Sequence, residues 1–239
     1  MKTTTLLADK KSTKMIAHRG LSGIETENTA AAFVAAGNRS YYGLECDVHV
    51  TRDGKYAIFH DDDTGRICDK KLTVEDSTLA ELRALRFKDG DGFIDSLKVV
   101  TLDEYLRICS RYNKIAVVEL KNRMSAANIA EIVDICKANY DLRNITFISF
   151  CFDNLVEVRK LCPEQTVQFL NGSCDAALIE RLHAHKFDLD VYYECLTEEL
   201  ISALHAADVK VNCWTCDDKQ YAEKLISWGI DYITTNILE

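Results

Sequence analysis

The sequence is short of the residues that punctuate a chain. Pro163 is its single proline in 239 residues, and no glycine-, serine- or proline-rich stretch interrupts it. That excludes a proline-rich recognition segment and leaves no linker at which to divide the chain. Long apolar runs are missing too: nothing approaches the ~20 residues of a membrane-spanning helix. Near the start only Leu6-Leu7-Ala8 is apolar, too short for a secretory signal. Positive charge is in deficit, with 29 Lys and Arg against 38 Asp and Glu, a net charge of −9. Such a balance argues against a broad surface for nucleic acid or an anionic membrane, so an anionic substrate must be drawn in by a local cationic centre.

What is present is an ordinary globular mixture, 47% hydrophobic and 28% charged, enough for a full core. Ten cysteines without a secretory signal imply free thiols in a reducing compartment, and hence a cytoplasmic protein. Cys213-Trp214-Thr215-Cys216 is the one C-x-x-C. It lacks a second pair, and residues three apart on a strand face opposite sides, so it is not expected to bind metal.

Short β-rich runs alternate with helical ones. Strands are expected at 14–18, 43–47, 115–121, 145–150, 166–170, 187–191, 209–214 and 231–235, with helices at 29–36, 102–111, 126–138, 154–161, 176–185, 198–206 and 219–227. Eight strands alternating with helices at this length predict an α/β fold of the (β/α)8 TIM-barrel type, a single catalytic domain over residues 1–239. One stretch breaks the series. Val48 to Thr51, Arg52-Asp53-Gly54-Lys55 and Tyr56 to His60 predict a β-hairpin after strand 2. With Asp53-Gly54 as a two-residue turn, Val50 would pair with Ala57 and Asp47 with His60. A small polar insertion, about residues 61–98, follows around a helix at 77–85. It is expected to be too short for a core of its own.

In a barrel of this kind chemistry gathers where strands end. Strand 1 ends in His18-Arg19, strand 2 in Glu45-Cys46-Asp47, strand 3 in Glu119-Leu120-Lys121, and the hairpin returns His60-Asp61. Residues two apart on a strand point the same way, so Glu45 and Asp47 share a face, as do Glu119 and Lys121. Oxygen-only donors from Glu45, Asp47 and Glu119 suit one hard divalent cation, Mg2+ or Ca2+, rather than zinc. The competing reading is a structural ion-pair network with Arg19 and Lys121. His18 and His60 titrate near neutrality and supply an acid and a base, while Arg19 and Lys121 offer fixed positive charge to a phosphate oxygen. Together these describe a site for a phosphoryl centre. Asn28 is read as the cap of the helix that follows it. His183 and His185, two apart on a helix, share no face, and His49 and His205 are given structural roles.

The ordered set His18-Arg19-Gly20 with Glu27-Asn28-Thr29, Glu45-x-Asp47, Thr51-x-Asp53-Gly54, His60-Asp61, Thr78-Leu79-x-Glu81-Leu82, Thr101-Leu102-Asp103-Glu104, Glu119-Leu120-Lys121, Ser149-Phe150, Trp214-Thr215 and Thr235-Asn236 resembles the glycerophosphodiester phosphodiesterase family across nearly the whole chain. Thr26 and Val100 stand where that family usually has proline, a difference of loop stiffness. The resemblance implies metal-dependent hydrolysis of diesters such as glycerophosphocholine or glycerophosphoethanolamine to sn-glycerol 3-phosphate and an alcohol. It also implies that Glu45, Asp47 and Glu119 hold the metal and that His18 and His60 act as acid and base. Arg19 and Lys121 would hold the phosphate, and Phe150 and Trp214 would line the pocket. The partner is then a small-molecule diester, with no nucleic acid and no stable membrane association, and the protein a monomer or homodimer. The rival enzymatic reading is a barrel phospholipase, of the lysophospholipase D or phosphoinositide-cleaving kind, for which the charged insertion offers little lipid-facing surface. A barrel that only binds a phosphorylated metabolite is the reading outside catalysis.

Overall fold

The structure, a computed structural model, describes residues 4–239. Strand β1 (Lys14–Ala17) leads through helix α1 (Ala30–Gly37) to β2 (Gly43–Val50), which turns back into the short β3 (Tyr56–Ile58). The insertion then supplies α2 (Leu79–Arg83), the ribbon β4 (Phe87–Asp89) and β5 (Gly92–Ile94), and β6 (Val100–Thr101). Regular alternation resumes with α3 (Leu102–Tyr112), β7 (Ile115–Leu120), α4 (Ala126–Asn139), β8 (Ile145–Ser149) and α5 (Phe152–Leu161). It ends with β9 (Thr166–Asn171), α6 (Ala176–His185), β10 (Asp188–Tyr192), α7 (Glu198–Ala206), β11 (Val211–Trp214), α8 (Lys219–Ser227) and β12 (Tyr232–Thr235). Strands β1, β2 and β7 to β12 pair in parallel in that order, and β12 pairs with β1 to close the ring. This is the expected (β/α)8 barrel. No described helix is long and apolar enough to cross a membrane.

Alternation along the strands sorts the core into two layers. One alternate set on each strand, including Ala17, Leu44, Cys46, Val118, Phe147, Val191, Cys213 and Ile233, points outward and packs under the helices. The opposite set, Ile16, Val117, Ile148, Leu170 and Tyr232, fills the barrel interior. Two residues further along each strand, that inner register delivers His18, Glu119, Phe150 and Thr234 toward the C-terminal rim. Strand parity therefore decides which strand-borne side chains face the site.

The hairpin differs from expectation by one residue. Val50 pairs with Tyr56 and Val48 with Ile58, and Phe59 N–H donates to Asp47 O at 3.0 Å. The cause is a three-residue loop: Gly54, at φ +69°, takes the left-handed bulge position, and Lys55 O accepts from Thr51 N–H at 2.8 Å. The shift sends Phe59 into the insertion and turns His60 toward the barrel mouth. The insertion also carries an apolar cluster where none was expected, built from Ala57, Phe59, Cys68, Val74, Leu82, Leu85, Phe87 and Val99. Its apolar residues are spaced singly through polar sequence, which hid them.

Candidate active site

The turn after β1 is tightly built. Arg19 is left-handed at φ +53° and Gly20 at φ +75°, and a Cβ on Gly20 would lie 2.6 Å from the Ala32 carbonyl carbon. This conformation aims the Arg19 backbone N–H at Glu45 Oε2, 2.8 Å away. Asn28, expected to cap α1, does not. Thr29 is the cap, its Oγ1 accepting from Ala32 N–H at 3.3 Å. Asn28 is instead left-handed at φ +56°, and its amide donates to Asp47 Oδ2 at 2.8 Å. A left-handed asparagine costs little, which frees it to reach a buried carboxylate.

Ligand oxygens of Glu45, Asp47 and Glu119 lie within 4.8 Å of one another, and all three residues are buried. Lys121 Nζ sits 3.0 Å from Glu119 and 3.4 Å from Asp47, and Arg19 Nε is 3.6 Å from Asp47. Both expected arrangements are thus visible, the acid cluster and its cationic neighbours. Two side-chain cations facing three carboxylates leave the cluster short of positive charge. Burial, then Asp47 and Glu119, drive the Glu45 carboxyl well above its usual range. Burial and Asp47 push Glu119 up to about 8 against the pull of Lys121. Burial would raise Asp47 too, but Lys121, Arg19 and His60 hold it down at about 2. Asn28 Oδ1, beside Asp47, is buried without a partner. An all-oxygen donor set with surplus negative charge and an orphaned carbonyl fits a hard divalent cation.

The two histidines are held alike and environed differently. His18 Nδ1–H donates to Asn236 Oδ1 at 2.8 Å, and His60 Nδ1–H donates to Asp61 Oδ1 at 2.7 Å. Each therefore keeps Nε2 as its free ring nitrogen. His18 is held down to about 4 by burial and then by Arg19, so it is neutral at pH 7. His60 is also lowered, by burial and the cations Arg19 and Lys121, while Asp47 and Asp61 oppose.

Several contacts among these groups were not assigned from sequence. Arg66, from the insertion, donates from Nε to Asp61 at 2.6 Å and from Nη2 to Glu27 at 2.6 Å, and Glu27 in turn accepts from Arg19 Nη1 at 2.8 Å. One polar chain thus joins His60 to Arg19. Asn236 is fixed by Asp217, which accepts from its backbone and side-chain N–H at 2.7 Å each. Nothing in the sequence sets Arg66 apart from the other basic residues, whereas Asn236 stands in the Thr235-Asn236 motif, where it was given no role of its own. Asp190, buried inside the barrel, has an unpartnered Oδ1 and is driven well up by burial. Phe150 and Trp214 meet edge-on at 5.5 Å, and a cavity of about 310 Å³ joins Phe150 to Glu119 and Lys121. The other histidines stay structural: His49 bonds Glu75 at 3.0 Å, His205 bonds Asp231 at 2.8 Å, and His183 and His185 bond backbone carbonyls.

Known proteins match the chain over nearly its whole length. Residues 18–239 match the model of the glycerophosphoryl diester phosphodiesterase family. A glycerophosphodiester phosphodiesterase of Caldanaerobacter subterraneus is 30% identical over 94% of both chains, and one of Bacillus altitudinis is 28% identical over the same share. Among solved structures, an Oleispira antarctica phosphodiesterase in complex with the product sn-glycerol-3-phosphate superposes with a TM-score of 0.86 at 29% identity, covering 97% of this chain and 96% of that one. A Parabacteroides distasonis glycerophosphodiester phosphodiesterase gives 0.79 at 29% identity, covering 94% and 93%. Matches that run from the turn after β1 to the last residue take in every element of the barrel mouth, and the chain belongs to the glycerophosphoryl diester phosphodiesterase family, a phosphoric diester hydrolase on a TIM barrel.

Proposed function

We propose that the enzyme hydrolyses glycerophosphodiesters such as glycerophosphocholine and glycerophosphoethanolamine to sn-glycerol 3-phosphate and the free alcohol. Glu45, Asp47 and Glu119 would hold one divalent cation, Mg2+ or Ca2+. When bound, that ion supplies Lewis-acid stabilisation of charge on the phosphate oxygens. Arg19 and Lys121 neutralise the remaining phosphate charge as phosphorus becomes five-coordinate. Of His18 and His60, one accepts the proton of the attacking hydroxyl at Nε2 and the other delivers a proton from Nε2 to the leaving alcohol oxygen. The attacker is the glycerol hydroxyl next to the ester, whose tether replaces a bimolecular encounter, and water then opens the cyclic phosphate with the proton roles reversed. Phe150 and Trp214 pack on the carbon skeleton.

The observation that carries this reading is the pair of imidazoles, each with Nδ1 committed and Nε2 free, both within the field of Asp47 of one buried carboxylate cluster. The sn-glycerol-3-phosphate held by the Oleispira antarctica relative agrees with the proposed product. The test is a panel of glycerophosphodiesters assayed with Mg2+ and Ca2+ in turn. His18→Ala and His60→Ala should each lower kcat by roughly 10²-fold or more while circular dichroism stays unchanged. Chelation should abolish turnover, and readdition of a cation should restore it. Full turnover by both folded histidine variants would sink the reading.

A further inference from the structure

The barrel mouth is chemically divided. Strands β1, β2 and β7, with the hairpin, bring the charged groups, and strands β8, β10 and β11 bring aromatic ones. Phe150 follows β8 and Trp214 ends β11, strands separated by roughly 14 Å along the sheet. Their rings meet at 5.5 Å because both lean inward over the mouth. Tyr192, ending β10 in the same inner register as Asp190, lies 5.8 Å from Trp214. Tyr193 continues the wall at 5.1 Å from Tyr192. Phe150 stays 51% exposed, whereas Trp214, Tyr192 and Tyr193 are half-buried, Tyr193 packing edge-on against Tyr221 at 5.0 Å. At the wall's far edge Glu194 accepts from the Tyr193 hydroxyl at 2.9 Å, and it is exposed without an ion-pair partner among the described residues.

A row of rings set edge-on or tilted to one another, beside a carboxylate that no ion pair neutralises, attracts a bulky, weakly hydrated cation: ring quadrupoles act on diffuse charge, and the carboxylate adds long-range attraction. A primary ammonium has three donors to satisfy, and acceptors are offered only at the far edge, by Glu194 and the tyrosine hydroxyls. The cavity at Phe150 places that end of the wall next to Glu119 and Lys121. We infer that Tyr192, Tyr193 and Glu194, continuing the Phe150–Trp214 wall, form a subsite for a quaternary ammonium head group, so that choline diesters are the preferred substrates. This rests on the phosphodiesterase reading of the neighbouring charged groups.

Wild-type enzyme, supplied with its divalent cation, should hydrolyse glycerophosphocholine with a kcat/KM roughly tenfold above that for glycerophosphoglycerol, whose alcohol is neutral, with the difference in KM. Tyr192→Leu and Glu194→Gln should each lower that ratio about fivefold, and Tyr192→Phe, which keeps the ring, should preserve it. Tetramethylammonium chloride, titrated without any diester and followed by saturation-transfer NMR, should bind the wild type and not Tyr192→Leu. Equal kcat/KM for the two diesters, a ratio unmoved by both substitutions, or no binding of tetramethylammonium would each overturn the subsite and leave the hydrolytic reading standing. Cleavage of neither diester with tetramethylammonium still bound would overturn the reaction and support the cation site.

Discussion

At the scale of single residues, the site is a relay of fixed partners. Arg66 is the member whose contribution can be isolated. Its guanidinium holds Asp61 at 2.6 Å, Asp61 orients His60, and the same group holds Glu27, which braces Arg19. The Arg66 side chain is 47% exposed, so its ion pairs contribute little to folding. What it contributes is orientation of groups one contact removed, an effect commonly worth 10- to 100-fold. Arg66→Ala should therefore lower kcat about tenfold while the melting temperature moves little. Arg86→Ala is the matching control, because Arg86 pairs with Asp69 in the same insertion and touches nothing that orients His60. Steady-state kinetics and thermal melts of both variants check this, and equal losses of kcat in the two would remove the relay.

At the scale of elements, most of what matters was written in the strand parity. Glu45 with Asp47, Glu119 with Lys121, and His18 two residues beyond Ile16 all follow from alternation on strands whose apolar residues announce them. What escaped was set by backbone choices that residue patterns do not fix. A three-residue hairpin loop moved the register by one, and a left-handed Asn28 exchanged a cap for a contact with Asp47. Glycine positions separate the two kinds of turn. Gly20 at φ +75° has the Ala32 backbone 2.6 Å from where a Cβ would sit, whereas Gly54 at φ +69° has nothing within 4 Å. Gly54→Ala should then cost only the left-handed penalty, about 1 kcal/mol, and leave activity intact. Gly20→Ala adds a clash with α1 backbone, should cost more than about 2 kcal/mol, and should displace His18 and Arg19 with a fall in kcat. Urea unfolding of the two variants, with kcat measured below the transition, checks the contrast.

At the scale of the whole molecule, the two ends of the barrel hold charge for different ends. The C-terminal rim gathers the carboxylates proposed to hold the cation; among the described residues the N-terminal rim carries no candidate catalytic group, so a charge there shows only as a cost to folding. Asp188, at the start of β10, borders a cavity of about 710 Å³ at that end with Arg159 and Lys210. Its Oδ1 accepts from Lys210 N–H at 3.0 Å. Burial nonetheless raises its carboxyl to about 6. A folded-state value above the unfolded one means that folding favours the protonated acid. That contribution is complete below about pH 4 and is lost as pH rises through about 6. Above that, the ionised group burdens the fold by an amount of order 2 kcal/mol. Asp188→Asn keeps an acceptor for Lys210 and cannot ionise. Relative to wild type it should be near neutral at pH 4 and more stable by about 2 kcal/mol at pH 7, with the change falling between pH 4 and pH 6. Urea denaturation of both proteins at intervals of pH measures that difference directly. A difference flat across the range would mean that Asp188 is solvated well enough to ionise freely, and the barrel floor would then be open to water as its mouth is.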